Sequence, residues 1–471
     1  MADTGQTGGR GPESVSYNIF YRFLRLFADI RQGEAGKALL LAANVFLILM
    51  AYYIIKPVRD ALILTAKTPE MKSYLGAAQA VLLIFVIKAF SRLSSRVARH
   101  ILITWVTLFF ISNLVLFNVL EWSRVPMGTI GIIFYIWIGI FNLLVVAQFW
   151  GFANDLYDED IGKRIFPLIW LGGTLGAPLG SKINTWLVRP LGVYPLMFVC
   201  AGVLVICIFI AVAIHRREIR EIQKRKDLPP AELELRKKVQ QEPLKRGGGF
   251  RLVFKSRYLL LVALVIGIYN FINANGEYMI GRVISGIADK VVQLGGAGGV
   301  GKAQIVDKFF ADYQFLTSIL TIIIQLFLVS RIFKWVGISG ALLFLPLIAL
   351  FGYGLITLGA TLVLLKWVKS LENGTDYSLM NTTKGALFLV TTREEKYKAK
   401  AAIDTFFVRG GDTLAALAVF LGTTYLAAKV EGYAVLNVIM VVVWILLTIL
   451  VIREYKKIKA RAEDAGKPAA A

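Results

Sequence analysis

Charged residues are scarce in this chain of 471 residues: Asp, Glu, Lys and Arg make up 18% of it, while 57% is hydrophobic. A soluble globular protein usually carries about a quarter charged residues. The deficit falls in long apolar blocks separated by short charged segments, which excludes a soluble multidomain enzyme, a disordered protein and a secreted disulfide scaffold. The sequence therefore predicts an all-α integral membrane protein.

Cysteine and histidine are also rare, with two of each. Cys200 and Cys207 fall in one apolar block, so neither a structural disulfide nor a metal site is expected. His100 and His215 lie beside basic residues at the edges of apolar blocks, where solvation at the membrane interface is the ordinary interpretation and a proton relay the rarer one. Residues 1–37 lack the apolar core of a signal peptide and are interpreted as a retained cytoplasmic tail. No cofactor is predicted.

Apolar segments long enough to cross a bilayer are abundant. A helical span needs about 20 such residues, and twelve segments qualify, some of them weakly. They lie near 38–58, 74–90, 100–120, 127–152, 166–188, 192–214, 258–281, 313–330, 336–357, 359–390, 400–427 and 433–452. The tenth is the least apolar and is expected to face protein or water rather than lipid. Its charged residues are Lys366, Lys369, Glu372, Asp376 and Lys384.

The basic residues, which give a net charge of +22, indicate the orientation. They concentrate between spans on the side that carries both termini, as cytoplasmic loops do, so nucleic-acid binding is not expected. The longest polar break, 215–257, is interpreted as a basic cytoplasmic linker that attracts anionic lipid headgroups. The predicted domains are a tail (1–37), a six-helix bundle (38–214), this linker, a second six-helix bundle (258–452) and a basic tail (453–471).

A weak internal repeat favours this 6+6 division. Residues 158–175 pass from an acidic cluster through basic residues into a span that carries Gly172 and Gly173 followed by Thr-Leu. Residues 393–414 repeat the order, with Gly410 and Gly411 before Asp-Thr-Leu. The two stretches correspond if spans 1–6 and 7–12 are parallel structural repeats of the kind that transporters contain.

Charges inside the membrane cost at least about 2.5 kcal/mol each on insertion scales, so they need a reason. Lys56, Arg59 and Asp60 follow the first span, and Lys56 and Asp60 share a face if the helix continues past Pro57. One interpretation is an ion pair between Lys56 and Asp60 at the outer interface. The other is a cavity for an anion, bordered by Lys56 and Arg59.

Span 7 carries a polar stripe, because Asn270, Asn273 and Glu277 recur at helical spacing. A stripe facing lipid would be costly, so it is expected to point inward, either lining a pathway or forming a network between helices. The aromatic residues at the end of span 4, in FWGFAND at 149–155, could stack on a base or anchor the helix at the interface.

Several motifs resemble those of the ATP/ADP translocases of plastids and intracellular bacteria, distant relatives of the major facilitator superfamily. The loop at 91–100 is similar to the inter-helix loop of that superfamily. The motifs shared with the translocases occur in the family's order between about residues 50 and 412. They are KPVRDALILT at 56–65, FWGFAND at 149–155, KRIFPL at 163–168, YSLMNTTK at 377–384 and KAKAAID at 398–404.

The resemblance implies a nucleotide exchanger with a central cationic site. Charged cavity residues of the family carry over to Arg59, Asp155, Glu277 and Lys384, with Arg59 standing where the family has lysine. Asn381, Thr382 and Gly385 also depart from the family pattern around Lys384. Residues expected to neutralise phosphates are Lys56, Arg59, Lys384 and Arg409. Residues expected to contact base or ribose, or to gate, are Asp155, Asn154, Glu277, Asn270, Asn273, Tyr53 and Tyr269. Asp60 and Asp404 are expected to be gating or structural charges.

Two alternatives remain open from the sequence: an ion-coupled carrier for another organic anion, and a membrane scaffold that docks partners through the linker. An enzyme is not predicted. The stretch GAGGVGK at 296–302 matches part of a phosphate-binding loop, but Ala303 lacks the hydroxyl that would ligate magnesium and no buried strand precedes it. A monomer in the cytoplasmic membrane of a bacterium is expected.

Overall fold

The computed structural model describes residues 35–94, 99–157, 159–224, 249–295, 300–359, 361–388, 390–391, 395 and 399–464. These residues form long helices and, within the described ranges, no strand. Most neighbouring long helices are joined by short loops, as in bundles of antiparallel neighbours. The helices are α1 (Ala35–Ala66), α2 (Pro69–Ser94), α3 (Arg99–Trp122), α4 (Met127–Leu156), α5 (Glu159–Leu191), α6 (Pro195–Lys224), α7 (Gly249–Lys255), α8 (Arg257–Gln293), α9 (Lys302–Ile323), α10 (Val329–Leu358), α11 (Leu362–Thr375), α12 (Asn381–Leu387), α13 (Lys400–Ala402), α14 (Val408–Tyr425) and α15 (Val430–Asp464).

Short π-helical stretches interrupt the helices that follow residue 300. They are Ile324–Leu328, Asp376–Met380 and Ile403–Phe407. A π turn inserts one extra residue into a helix and is often found at functional sites. The second stretch lies between α11 and α12. It overlaps the beginning of the YSLMNTTK motif, which ends at Lys384 in α12.

Several helices extend beyond the predicted spans, because they continue where polar residues begin. The first helix continues through Pro57 to Ala66, the second already begins at Pro69, and α9 begins at Lys302. A helix that packs against other helices can keep charged residues and proline within it, since its neighbours satisfy the polar groups. These extra turns contain much of the charge described below.

The exterior of the bundle is apolar, and its apolar interior encloses several polar and charged side chains. Trp105, Phe109 and Phe209 are 72%, 58% and 69% exposed, whereas Lys369 and Glu372 are completely buried. Eight helical segments of the described chain are long and apolar enough to cross a membrane. A soluble protein rarely exposes large contiguous apolar patches. The chain is therefore a multi-pass membrane protein, and two of the charges predicted to avoid lipid in the tenth span do face protein.

Glycines bring α1 and α5 into direct backbone contact. A Cβ atom on Gly172, Gly176 or Gly180 would lie 2.3, 2.2 or 2.3 Å from a backbone carbonyl oxygen of α1. These glycines recur every four residues and so form one stripe, as in close helix pairs of other membrane proteins. Gly411 makes a comparable contact between α14 and α8, where a Cβ would lie 2.3 Å from the Gly267 oxygen. The Gly-Gly segments of the internal repeat thus occupy similar packing positions.

Replacing Gly176 with alanine is expected to destabilise the protein by about 1–3 kcal/mol, because backbone atoms must move to admit the methyl group. Gly202→Ala is the matched control, since no atom lies within 4 Å of a Cβ at that helical position. Alanine there should be neutral or slightly stabilising. Thermal unfolding of the purified protein in detergent measures both changes. Equal unfolding temperatures for the two variants would contradict the role assigned to the stripe.

Candidate functional site

Four charged side chains connect helices of the first part of the chain, α1–α6, to helices of the second part, α7–α15. We refer to Arg59, Asp60, Lys72 and Glu277 as the ion cluster. The Arg59 Nη2 atom lies 2.9 Å from Asp60 Oδ2, and Lys72 Nζ lies 3.0 Å from Asp60 Oδ1. Lys72 Nζ also lies 3.4 Å from Glu277 Oε2. The side chains of Asp60 and Lys72 are 2% and 7% exposed. The cluster therefore links α1 and α2 to α8 through one buried lysine.

Glu277 has further partners on two other helices. Its Oε1 accepts hydrogen bonds from Tyr313 Oη at 2.7 Å and from Asn373 Nδ2 at 3.2 Å. Asn373 Nδ2 also lies 2.6 Å from Tyr313 Oη. These bonds hold the carboxylate in place opposite Lys72, and they connect the ion cluster to α9 and α11.

Lys56 lies between helices of the two parts without a carboxylate partner. Its Nζ donates to Gln314 Oε1 at 3.0 Å and lies 5.1 Å from the centre of the Tyr53 ring. The helix does continue past Pro57, but the first of the two interpretations, an ion pair between Lys56 and Asp60, does not hold, because Asp60 pairs with Arg59 and Lys72. Within the described residues, Lys56 is a partly buried cation that only neutral groups contact.

Lys384 occupies a separate position among the C-terminal helices. Its Nζ lies 2.9 Å from Asp376 Oδ1, across the π turn, and 4.7 Å from the centre of the Tyr269 ring. The Tyr269 ring also packs against Trp444, with centroids 5.4 Å apart. Lys384 is therefore neutralised locally in this conformation, while 23% of its side chain stays exposed.

Two predicted charges form local pairs on partly exposed helix faces. Arg409 Nη1 lies 3.2 Å from Asp412 Oδ2, and Lys400 Nζ lies 3.2 Å from Asp404 Oδ2. About half of the Asp404 side chain is exposed (49%). No hydrogen bond or ion pair between described residues joins Arg409 or Asp404 to the ion cluster or to Lys56.

The predicted polar stripe on α8 forms one further hydrogen bond to another helix, in addition to the bonds of Glu277. Asn273 Oδ1 accepts a hydrogen bond from Lys369 Nζ at 2.7 Å, and Lys369 also pairs with Glu372 at 3.0 Å. Asn270, by contrast, bonds the carbonyl of Ile266 in its own helix at 2.8 Å. The stripe thus points inward as expected, and part of it belongs to a network between α8 and α11.

Some predicted site residues lie outside the described part of the structure. Asn154 and Asp155 belong to α4, but their side chains are not described. The same holds for Lys163 and Arg164 of the KRIFPL motif, and the loop at 296–299 is outside the description altogether. Cys200 and Cys207 are free and buried. Among the described residues, no group of three or more His, Cys, Asp or Glu side chains could hold a metal ion.

The side-chain bonds that join α1–α6 to α8–α11, where both partners are described, all lie toward the end of the bundle at which α1 ends and α2 begins. We call this the α1–α2 end. Besides Lys72 with Glu277, Glu70 accepts a hydrogen bond from Tyr278 at 2.8 Å, and the Leu64 carbonyl accepts one from Ser285 at 3.1 Å. The bundle is therefore tied together at this end.

Lipid-facing apolar helices that surround buried charges, with an ion pair and hydrogen bonds joining the two parts of the chain at one end, define a membrane transporter. The chain belongs to the TLC ATP/ADP transporter family, whose model matches residues 14–127 and 130–455. It is a transporter and not an enzyme, as the sequence predicts.

Named relatives and a solved structure are similar to this chain. The chain is 24% identical to ADP,ATP carrier protein 1 of Chlamydia muridarum over 452 residues, covering 81% of each protein. It is also 24% identical to ADP,ATP carrier protein 1 of Chlamydia trachomatis over 457 residues, again covering 81% of each. The crystal structure of the nucleoside transporter NupG superposes with a TM-score of 0.59 at 12% identity, covering 89% of this chain and 99% of that one. This last likeness concerns the fold alone.

Proposed function

We propose that the protein exchanges nucleotides, ATP against ADP or a related pair, across a membrane. The relatives named ADP,ATP carriers support this substrate class. The observation that carries the proposal is Lys56, a partly buried cation between the two parts of the chain whose described contacts are neutral. A buried cation of this kind favours an anionic ligand, since unpaired charge is costly away from water.

Phosphate groups would bind Lys56 first and draw Arg59 toward them. Arg59 already lies beside Lys56 on α1, and its guanidinium can contact phosphate through two N–H groups. Tyr53, whose ring lies near Lys56, offers an aromatic face for the base. Lys384 and Arg409 would join as additional phosphate contacts by leaving Asp376 and Asp412. Asn154, Asp155, Asn270, Asn273 and Tyr269 stay candidates for base or ribose contacts.

The mechanism we propose is alternating access between two six-helix bundles. The similar glycine contacts of α5 with α1 and of α14 with α8 support the 6+6 arrangement of twelve spans. Substrate would enter from the end opposite the ion cluster, and Lys72 would release Glu277 when the α1–α2 end opens. In the proposed orientation both termini and the linker 215–257 are cytoplasmic, and the α1–α2 end faces outward. The proposed location is the cytoplasmic membrane of a bacterium, with the protein as a monomer.

Uptake of labelled ATP into proteoliposomes loaded with ADP tests this function. Uptake should require internal ADP, and Lys56→Gln should lower it at least tenfold at low ATP, because a charge-assisted hydrogen bond contributes about 1.5–3 kcal/mol. Lys366→Gln is the matched control, since this partly buried lysine lies over the Phe309 ring, 5.8 Å from its centre. It should transport normally.

Other outcomes would redirect the assignment. ATP uptake that ignores internal ADP but follows an imposed proton or sodium gradient would indicate an ion-coupled carrier. No uptake of ATP by folded protein, with or without ADP, would contradict nucleotide exchange. Unchanged uptake in Lys56→Gln would show that nucleotides bind elsewhere.

A further inference from the structure

A buried acid on α9 has no cationic partner among the described residues. Asp307 is completely buried, and its described hydrogen bond comes from Asn184 Nδ2 of α5, which lies 3.3 Å from Asp307 Oδ1. Asp307 Oδ2 is buried and has no hydrogen-bond partner in the part of the chain that the structure describes. An ionised carboxylate in such a place is very costly, whereas a neutral carboxylic acid is not.

The partner amide has a complementary unpaired atom. Asn184 is also completely buried, and its Nδ2 donates to the Ile54 carbonyl at 2.8 Å as well as to Asp307. Because a carbonyl can only accept, this bond fixes which end of the amide is the nitrogen. The remaining oxygen, Asn184 Oδ1, has no partner within the described ranges. Two joined side chains therefore each keep a buried acceptor that lacks a donor.

One proton supplies the missing donor. A protonated Asp307 has an O–H group in addition to its acceptor oxygen, so it can accept from the amide and donate to an acceptor at the same time. Protonation also removes the buried negative charge. A calcium or magnesium ion fits less well, because the pair offers only two unpaired oxygens and these ions take six or more ligands.

We propose that Asp307 and Asn184 form a proton-binding site between α5 and α9, which is occupied while the α1–α2 end is closed. Opening that end separates α5 from α9 and exposes Asp307 to water, where its proton is lost to solvent. Proton binding therefore favours the closed state, and the equilibrium between closed and open states depends on pH. This inference relies on the alternating access proposed above but not on the identity of the substrate.

The other charged groups on the helices that pack against α9 do not neutralise Asp307. Asp60 interacts with it electrostatically, and this interaction further disfavours a second negative charge. Most of the others have partners of their own, which are oppositely charged side chains, aromatic rings or, for Lys56, an amide. On α1, α2, α5, α8 and α11 they are Lys56 (Gln314), Arg59 (Asp60), Lys72 (Asp60 and Glu277), Lys182 (Trp186 and Phe315), Glu277 (Lys72), Asp289 (Lys302), Lys366 (Phe309) and Lys369 (Glu372). On α9 itself, Lys308 is exposed and Asp312 accepts from Thr185.

Distances between spin labels measured by double electron–electron resonance test the site without nucleotide transport. Labels at Leu191→Cys and Leu294→Cys, with both native cysteines replaced by alanine, report the separation of α5 and α8 at the α1–α2 end. Both positions are exposed, at 46% and 85%. In the otherwise native protein, raising the pH should populate longer distances, by at most about tenfold in the open-to-closed ratio per pH unit for one proton.

Two substitutions separate the proposed site from other titrating groups. Asp307→Asn places a neutral amide at the site and should stay closed at every pH. Asp312→Asn is the matched control, because this partly exposed acid accepts from Thr185 across the same pair of helices. It should keep the native pH response. An Asp307→Asn variant that responds to pH like the native protein would overturn the proposal.

Two further results distinguish failure of this site from failure of the proposed function. If ATP changes the distances but pH does not, the proton site is wrong and alternating access stands. If neither changes them, both are wrong. Infrared spectroscopy gives a direct check that needs no conformational change: the native protein should show a C=O band of a protonated carboxyl group that Asp307→Asn lacks. Absence of that difference in folded protein would also overturn the site.

Discussion

The change Asp60→Asn is expected to destabilise the protein by about 3–5 kcal/mol, the usual cost of removing one partner from a buried ion pair. Asp60 accepts from two cations at once, Arg59 at 2.9 Å and Lys72 at 3.0 Å, and its side chain is 2% exposed. The substitution keeps the shape of the side chain but leaves both cations short of negative charge. Lys72 would retain only the longer contact with Glu277.

Thermal unfolding in detergent should therefore occur at a much lower temperature in Asp60→Asn than in the native protein. Asp404→Asn is the control, because Asp404 pairs with Lys400 on an exposed face and such pairs contribute at most about 1 kcal/mol. Should the two variants unfold at the same temperature, Asp60 would not be the central acid of the ion cluster. Asp60→Glu, which keeps the charge, should recover part of the loss.

The second large effect is expected at Glu372. This acid and Lys369 are both completely buried and lie 3.0 Å apart within one turn of α11. Tyr353 donates to the same carboxylate at 2.8 Å, and Gly276 leaves the room that Lys369 and Tyr353 occupy. Glu372→Gln would leave Lys369 charged in the interior of the bundle, again at a cost of about 3–5 kcal/mol.

The double variant Lys369→Met/Glu372→Leu distinguishes the cost of an unpaired charge from a general need for these two residues. Removing both charges should restore most of the stability, since apolar residues of similar volume often replace a buried pair at little cost. Chemical or thermal unfolding of the two single variants and the double variant measures the coupling. If the double variant is less stable than Glu372→Gln, the pair would have a structural role beyond its charge.

The membrane fold could be predicted from hydropathy because it requires only local information. Long apolar segments must be helical, since a bilayer offers no partners to backbone groups. The charges in the tenth span were expected to avoid lipid for the same reason. The partners of Lys369 and Glu372 on other helices could not be predicted, because Asn273, which bonds Lys369, and Tyr353, which bonds Glu372, are distant in sequence and nothing in the periodicity of α11 identifies them.

Two site residues were missed because helix ends were placed too far inward. With span 2 beginning at residue 74, Lys72 counted as a loop residue, and with span 8 beginning at 313, Asp307 did as well. Hydropathy ends a span where charge begins, but packing against neighbouring helices continues the helix through those charges. Gln314 and Asn373 carry no charge and had no sequence signal of their own. Arg59 was recognised from its motif, and the structure adds its direct partner.

The glycine stripe between α1 and α5 has a mechanical consequence. Backbones in contact leave little room for rearrangement between the two helices, so we expect α1 and α5 to move as one rigid body. Lys56 and Asn184 belong to that body, Lys56 on α1 and Asn184 on α5. A displacement of α5 away from Asp307 therefore moves Lys56 away from Gln314 by the same rotation. The proposed anion-binding lysine and the proposed proton site are therefore expected to change together when α1 and α5 move.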